Sequence, residues 1–257
     1  MQKNTIHQFL NLFIILSFFS CKKESSQGEI EIGAISGTIS LYDDKINLQS
    51  NASGVTVTVI GMPGKVAVST ADGKFRIEGL SFDNYDLAFS KTGYGTYKIF
   101  GIEHKKQSNT PSGVSSTTFL SRVINLGAVS STSISSLTAI DATYNDLPGI
   151  EYGYTITPEA SPGNRGYVRT FVGKKHTTSS AEYLAYTNTN SVLNNNVRSG
   201  FQLGELYGFG FQSGDSVYVK VYGDSFYSNT YTDPISGKTI FPNLNAVAAN
   251  AVSFIVP

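Results

Sequence analysis

The chain has 257 residues, with 19 Lys plus Arg against 19 Asp plus Glu, so no net field exists to collect nucleic acid or to hold an anionic membrane surface. Its length suits two ordinary domains, each able to bury its own core. With 25 Gly, 15 Tyr, 16 Phe, only two Met and no Trp, the composition favours pleated sheet joined by Gly and Asn turns, and the expected class is all-β, two β-sandwich domains in tandem.

The first residues read as a targeting signal rather than as part of the fold. Lys3 is the only formal side-chain charge before the apolar run Phe9-Leu10-Asn11-Leu12-Phe13-Ile14-Ile15-Leu16-Ser17-Phe18-Phe19. A helix needs about 20 apolar residues to cross the hydrocarbon core, so this shorter run fits the apolar region of a signal peptide. Directly after it come Ser20 and Cys21, the only cysteine. This arrangement resembles a bacterial lipoprotein signal, although Phe18 stands where such signals usually carry Leu and Phe19 is bulky. The resemblance implies cleavage after residue 20 and lipidation of the Cys21 thiol, which would become the mature N-terminus. The alternative is an ordinary secretory signal with a chance cysteine. It would leave a reactive thiol exposed in an oxidising compartment, whereas acylation removes it. Two or more acyl chains anchor stably, which implies a lipid-anchored protein of the outer membrane. Residues 22–28, KKESSQG, lack hydrophobes, so 21–30 is expected to be a flexible tether. Lys22-Lys23-Glu24 loosely resembles the charged signal that sends some Bacteroidetes lipoproteins to the cell surface.

A first β-sandwich is expected over residues 31–120. Ile35-Ser36-Gly37-Thr38-Ile39-Ser40-Leu41 alternates as a half-buried strand does, and Gly54-Val55-Thr56-Val57-Thr58-Val59-Ile60 alternates more cleanly. Gly61-Met62-Pro63-Gly64 reads as a turn, and residues 65–70 as a third strand. The Asp72-Gly73 pair predicts a hairpin into Phe75-Arg76-Ile77-Glu78, because Gly tolerates the positive φ of a tight turn. Tyr85-Asp86-Leu87-Ala88-Phe89 and a segment from Gly93 to Ile99 supply two more strands. In order and spacing, Gly37-Thr38-Ile39, Gly54-Val55-Thr56-Val57, the stretch from Ser69 to Leu80 and the stretch from Tyr85 to Tyr94 resemble the carboxypeptidase regulatory-like domain. The departures are Asp83 where that family usually has Gly, and a longer connection over 43–53. The resemblance implies a transthyretin-like or immunoglobulin-like sandwich without catalytic residues, with a structural or interaction role.

Residues 105–118, KKQSNTPSGVSSTT, read as a loop into a last strand at Thr118-Phe119-Leu120, and 121–132 as a linker or the first strand of the next unit. A second immunoglobulin-like sandwich is expected over 133–257. Residues 137–142 open it, and 149–157 and 167–172 are expected to pair as a hairpin across the turn Pro162-Gly163-Asn164-Arg165-Gly166. The AEYLAY stretch at 181–186 reads as a helical turn, residues 215–224 as the clearest strand, with Val217, Val219 and Val221 on one face, and 251–256 as the last strand. Phe211 and Gly214 ahead of Val217-Tyr218-Val219-Lys220-Val221 loosely resemble the corner of a fibronectin type III domain, but Val217 stands where that family keeps a tyrosine.

No catalytic constellation is visible. His7 falls in the signal, and His104 and His176 lie far apart without Cys or clustered acids beside them, so no metal site and no cofactor are expected. No G-x-S-x-G stretch and no thiol beyond Cys21 offer a nucleophile. Asp43-Asp44 could hold Ca²⁺ but read more simply as solvated turn acids. Eleven of the 15 tyrosines lie at or after Tyr144. Tyr183, Tyr186, Tyr227 and Tyr231 are the candidate ligand-binding residues, since loop tyrosines bring rigid area at low entropy cost, although Tyr is also simply a good strand residue. Two functions remain open. One is a non-catalytic structural and interaction module at the envelope, with a membrane contact through its lipid anchor and a protein partner. The other is a surface glycan-binding lipoprotein that uses those tyrosines.

Overall fold

The computed structural model describes residues 32–106, 115–161 and 163–257. The expected signal (1–20), Cys21 and the tether (21–30) lie outside the described residues, as do 107–114 of the polar loop. The strands up to residue 127 are β1 (Ile32–Tyr42), β2 (Thr56–Val59), β3 (Met62–Val68), β4 (Lys74–Ser81), β5 (Asn84–Ser90), β6 (Tyr97–Glu103), β7 (Thr117–Phe119) and β8 (Ile124–Gly127). They form two sheets. In one, β1 pairs antiparallel with β4 on one side, and on the other runs parallel to β7 along its first half and β8 along its second. In the other the order is β3-β2-β5-β6, all antiparallel. The alternation explains the packing: Ile35, Ile39 and Leu41 of β1 meet Val57 and Val59 of β2 and Leu87 and Phe89 of β5 in one buried cluster.

Beyond residue 132 come β9 (Ser133–Tyr144), β10 (Leu147–Thr157), β11 (Gly166–Gly173), β12 (Ala185–Tyr186), β13 (Asn190–Val192), β14 (Asn196–Gln202), the short helix α1 (Leu203–Gly208), β15 (Ser216–Gly223), β16 (Tyr231–Thr232), β17 (Thr239–Ile240) and β18 (Val252–Ile255). The sheet β14-β10-β9 faces the sheet β12-β11-β15-β18, with β13 also on β11. Val217, Val219 and Val221 are fully buried in the core between them, together with Tyr152, Ile150, Leu206 and Phe211. The turn from β9 to β10 places Asn145 and Asp146 at φ 51° and 62°, the left-handed region that these two residue types tolerate best among non-glycines. The described unit is therefore all-β, built on two hydrophobic clusters, and residues Glu31–Pro257 form one compact unit.

Several local expectations are corrected. The Asp72-Gly73 turn is real, with Gly73 at φ 78°, but it does not close a hairpin: β3 and β4 belong to opposite sheets. A Cβ at Gly73 would overlap the Ile39 carbonyl, so the glycine is required by close approach as well as by φ. The hairpin expected between 149–157 and 167–172 is likewise not made, because β10 and β11 lie in different sheets. A turn signal specifies a local reversal, and in a sandwich the reversal can cross the core as readily as it can join neighbours. The turn placed at 61–64 occurs instead at Ile60 and Gly61, and Pro63 lies within β3, an edge strand that can spare its missing N–H. The AEYLAY stretch holds strand β12 rather than a helical turn, because Ala185 and Tyr186 pair with Val172 and Phe171. Within 121–132, Ile124 and Leu126 of β8 are buried in the first cluster. That segment completes the first sheet as well as leading to the second.

His104 is 1% exposed, with Nδ1 2.8 Å from Thr118 Oγ1 and its ring 5.0 Å from Phe82. Burial lowers its pKa below the ordinary histidine value, since the imidazolium would lose its water. The unfolded chain, at about 6.5, then takes up the proton first, so stability is full above that pH and declines as pH falls through it towards the folded value. Urea midpoints between pH 7.5 and 5.5 should fall more for the native protein than for His104→Gln; equal slopes would assign the acid sensitivity elsewhere.

Candidate interaction site

Every residue of β11 is buried, whereas its sheet partner β15 alternates. One face, with Val168 and Val172, meets the second core. The other, with Tyr167, Arg169 and Phe171, is covered by residues 183–190 and 224–245, which act as a third layer on the outside of the sheet. Arg169 is its centre. Its Nε lies 2.8 Å from Asp224 Oδ2, with side-chain exposures of 5% and 1%. Nη1 donates to Thr187 O at 2.7 Å and Nη2 to Thr189 Oγ1 at 2.5 Å, while Thr189 Oγ1 donates in turn to Asp224 Oδ2 at 2.7 Å. Asp224 Oδ1 accepts from the Ser225 N–H. The guanidinium sits 5.0 Å from the Phe241 ring centroid and 5.7 Å from that of Tyr186. A buried charge is tolerated when its hydrogen-bonding capacity is met in this way, and the planar fork of Arg suits several acceptors at once.

Around this pair the aromatic rings pack edge to face. Phe171 is 4.9 Å from Phe241 and 5.6 Å from Tyr222, and Tyr183 is 5.4 Å from Tyr186. Tyr183 Oη donates to Thr239 O, and Tyr186 Oη lies 3.2 Å from Thr239 Oγ1, so the β16–β17 hairpin is tied to the same cluster. Burial pushes the Tyr222 phenol up from its ordinary pKa.

From Asp224 the chain crosses to the first core. Ser225 Oγ donates to Ala128 O, the Phe226 N–H to Asp44 O, and Asn229 Nδ2 to Asn125 O, while Asn229 Oδ1 accepts from the Gly127 N–H at 2.7 Å. Asn243, fully buried, donates to Gly127 O and Ala128 O. Asp44 Oδ2 accepts from both N–H and Oγ of Ser131, and Lys45 Nζ donates to Thr132 Oγ1. Asp44 is thus a buried seam residue, 8% exposed, and not the solvated turn acid expected beside Asp43. Among the described residues no group of three or more His, Cys, Asp or Glu could hold a metal ion.

The four candidate tyrosines do not share one surface. Tyr183 and Tyr186 belong to the aromatic cluster, and Tyr183 also lines a depression of about 270 Å³ together with Lys174, Lys175, Thr178, Glu182 and Leu184. Tyr227 packs against Tyr42 in a tilted pair with ring centroids 4.3 Å apart, and Tyr231 is 6.0 Å from Phe100 with Lys98 Nζ 5.4 Å above its ring, so both fasten the second sandwich to the first. Burial and the neighbouring Tyr42 raise the Tyr227 phenol pKa. Arg169, Asp224, Asn229 and Asn243 were not singled out from sequence. The available signal was a lone Arg inside Tyr167-Val168-Arg169-Thr170-Phe171-Val172 and an Asp directly after the clearest strand.

No family model and no curated protein matches the chain. Solved structures similar to it include a protein from Bacteroides uniformis described as a candidate carbohydrate-binding protein, 14% identical over 88% of this chain and 99% of that one, with a TM-score of 0.31. A DUF3823 family protein from Parabacteroides merdae is 11% identical over 76% of this chain and 92% of that one, with a TM-score of 0.26. A chain of a type II cohesin–X-dockerin complex from Acetivibrio cellulolyticus is 21% identical over 45% of this chain and 65% of that one, with a TM-score of 0.29. A likeness of this degree carries no function across.

Truncating Asp224 to Ala should cost about 3–5 kcal/mol, because it strands the Arg169 guanidinium in a buried layer. The double variant Arg169→Met, Asp224→Leu should lose less than Asp224→Ala alone in urea unfolding. Equal losses would mean that the layer is held by its rings and not by the pair.

Proposed function

We propose that the protein is a non-catalytic envelope module, lipidated at Cys21 and held at the outer membrane, which presents two joined β-sandwiches for a structural or binding role. In this reading 1–20 is removed, 21–30 is the tether, 31–120 is a carboxypeptidase regulatory-like sandwich extended by β8 of the 121–132 segment, and 133–257 is immunoglobulin-like. The observation that carries the reading is the seam. Residues 224–245 satisfy buried groups of both cores, so the sandwiches act together, as a spacer or a presenting surface requires. The anchor is supported by the run before the lone Cys21 and the polar stretch after it. Replacing Cys21 by Ser should abolish labelling with radioactive palmitate and the partition into detergent. Undiminished labelling would overturn the anchor.

A glycan-binding role is favoured by one feature only, the Tyr183 ring in the wall of that depression, with Tyr186 packed at right angles behind it. Tyr227 and Tyr231 are committed to the seam. Isothermal titration of the intact protein against a polysaccharide panel should give no binding heat on the leading reading. Heat that disappears in Tyr186→Ala would establish the glycan reading in its place.

A further inference from the structure

After Leu120, whose N–H still donates to Ser36 O of β1, the chain leaves β1 through the exposed residues Ser121, Arg122 and Val123 before β8 rejoins it. The detour opens a groove of about 530 Å³ on the first sheet, a size that suits a ligand or a peptide segment. Its wall is apolar and exposed to an unusual degree: Phe119 is 70% exposed, Val68 60% and Val123 50%. Contiguous exposed apolar surface of this kind marks interaction sites. Arg122 and Val123 also line a second depression, of about 290 Å³, which continues to Tyr227 and Thr230 at the seam. The two together make an extended, open-sided track.

The charges along the track have one sign. Lys74, Arg76 and Arg122 line it, and among the described residues no carboxylate does. Lys74 and Arg76 reach out to Asp72 and Glu78, but these carboxylates are 57% and 74% exposed, and ion pairs in water contribute little and exchange freely. Arg122 donates to the Tyr97 hydroxyl rather than to a carboxylate. A basic rim over apolar walls fits a ligand that combines bulky apolar groups with negative charge. The open side and the length favour a main chain laid along the track over a small amphiphile, which gains most from an enclosed pocket.

We propose that this track binds an extended acidic segment of a partner protein, its apolar side chains against Phe119, Val68 and Val123 and its carboxylates at Arg122 and Arg76. The proposal rests on the interaction-module reading and names the partner class. It is independent of Cys21, whose labelling test can fail without affecting it.

The test uses the intact protein and a fluorescein-labelled probe peptide, acetyl-Asp-Leu-Asp-Phe-Glu-Leu-Asp-amide, with an analogue in which every acid is Lys, and laurate as a competitor. The acidic peptide should bind saturably and the Lys analogue at least about tenfold more weakly; Arg122→Glu and Phe119→Ser, both exposed and so compatible with folding, should each weaken the acidic peptide by about tenfold. Tyr207→Ser, at an exposed position on α1 in the other lobe, should leave it unchanged. Absence of saturable binding, equal binding of the Lys analogue, or indifference to Arg122→Glu would each overturn the proposal. Saturable laurate binding that displaces the peptide completely would assign the track to a lipid carboxylate instead.

Discussion

A charge taken out of water must be met by partners, and in this chain that demand falls on Arg169. Its guanidinium lies on the outer face of β11, where a two-layer sandwich would ordinarily meet solvent. Asp224, Thr187 and Thr189 satisfy it, and Phe241 and Tyr186 cover it. Because Asp224 is also the point at which β15 ends, the pair sets the direction in which residues 225–245 depart. Those residues then supply Ser225, Asn229 and Asn243 to the edge of the first core. One buried ion pair thereby orients both the aromatic layer of the second sandwich and the joint between the sandwiches. An apolar pair could make the layer as stable, but it would not impose the same set of directional bonds.

Much of the architecture was legible because it is written in alternation. Val55, Val57 and Val59, or Val217, Val219 and Val221, could only belong to half-buried strands, and their burial between facing sheets follows from the period of two. Strand partners were less legible. The Asp72-Gly73 pair and the Gly/Asn-rich stretch before β11 both carry turn chemistry, yet neither joins two strands of one sheet. Turn chemistry constrains four residues, whereas the choice between joining a neighbour and crossing the core depends on how all the strands share apolar area. β8 was hidden for a related reason: four residues paired parallel to β1 carry no local turn signature.

The site was legible only in part. Tyr183, Tyr186, Tyr227 and Tyr231 form one set in the sequence, where nothing separates them, since all four read as loop tyrosines. Their division into a cluster and a seam arises from long-range contacts with Phe171, Tyr42 and Phe100. Arg169 is not legible in the sequence because an Arg between β-branched and aromatic residues usually points to water; here a third layer lies over it. Asp44 was misplaced for the same reason, its carboxylate being capped by Ser131, far along the chain.

The parallel pairing of β1 with β7 and β8 also governs the order in which the chain can become native. The first strand to be made waits for residues 117–127 before its open side is closed, and Asp44 and Gly127 wait longer still, for Ser131 and then for Asn229 and Asn243. Contacts of such sequence separation must close large loops before they return any stabilisation, which slows folding and keeps edges open meanwhile. The lobe nearest the N-terminus is therefore not finished by its own residues; the final stitches in its surface come from the last eighth of the chain, so that the part made first is the part completed last.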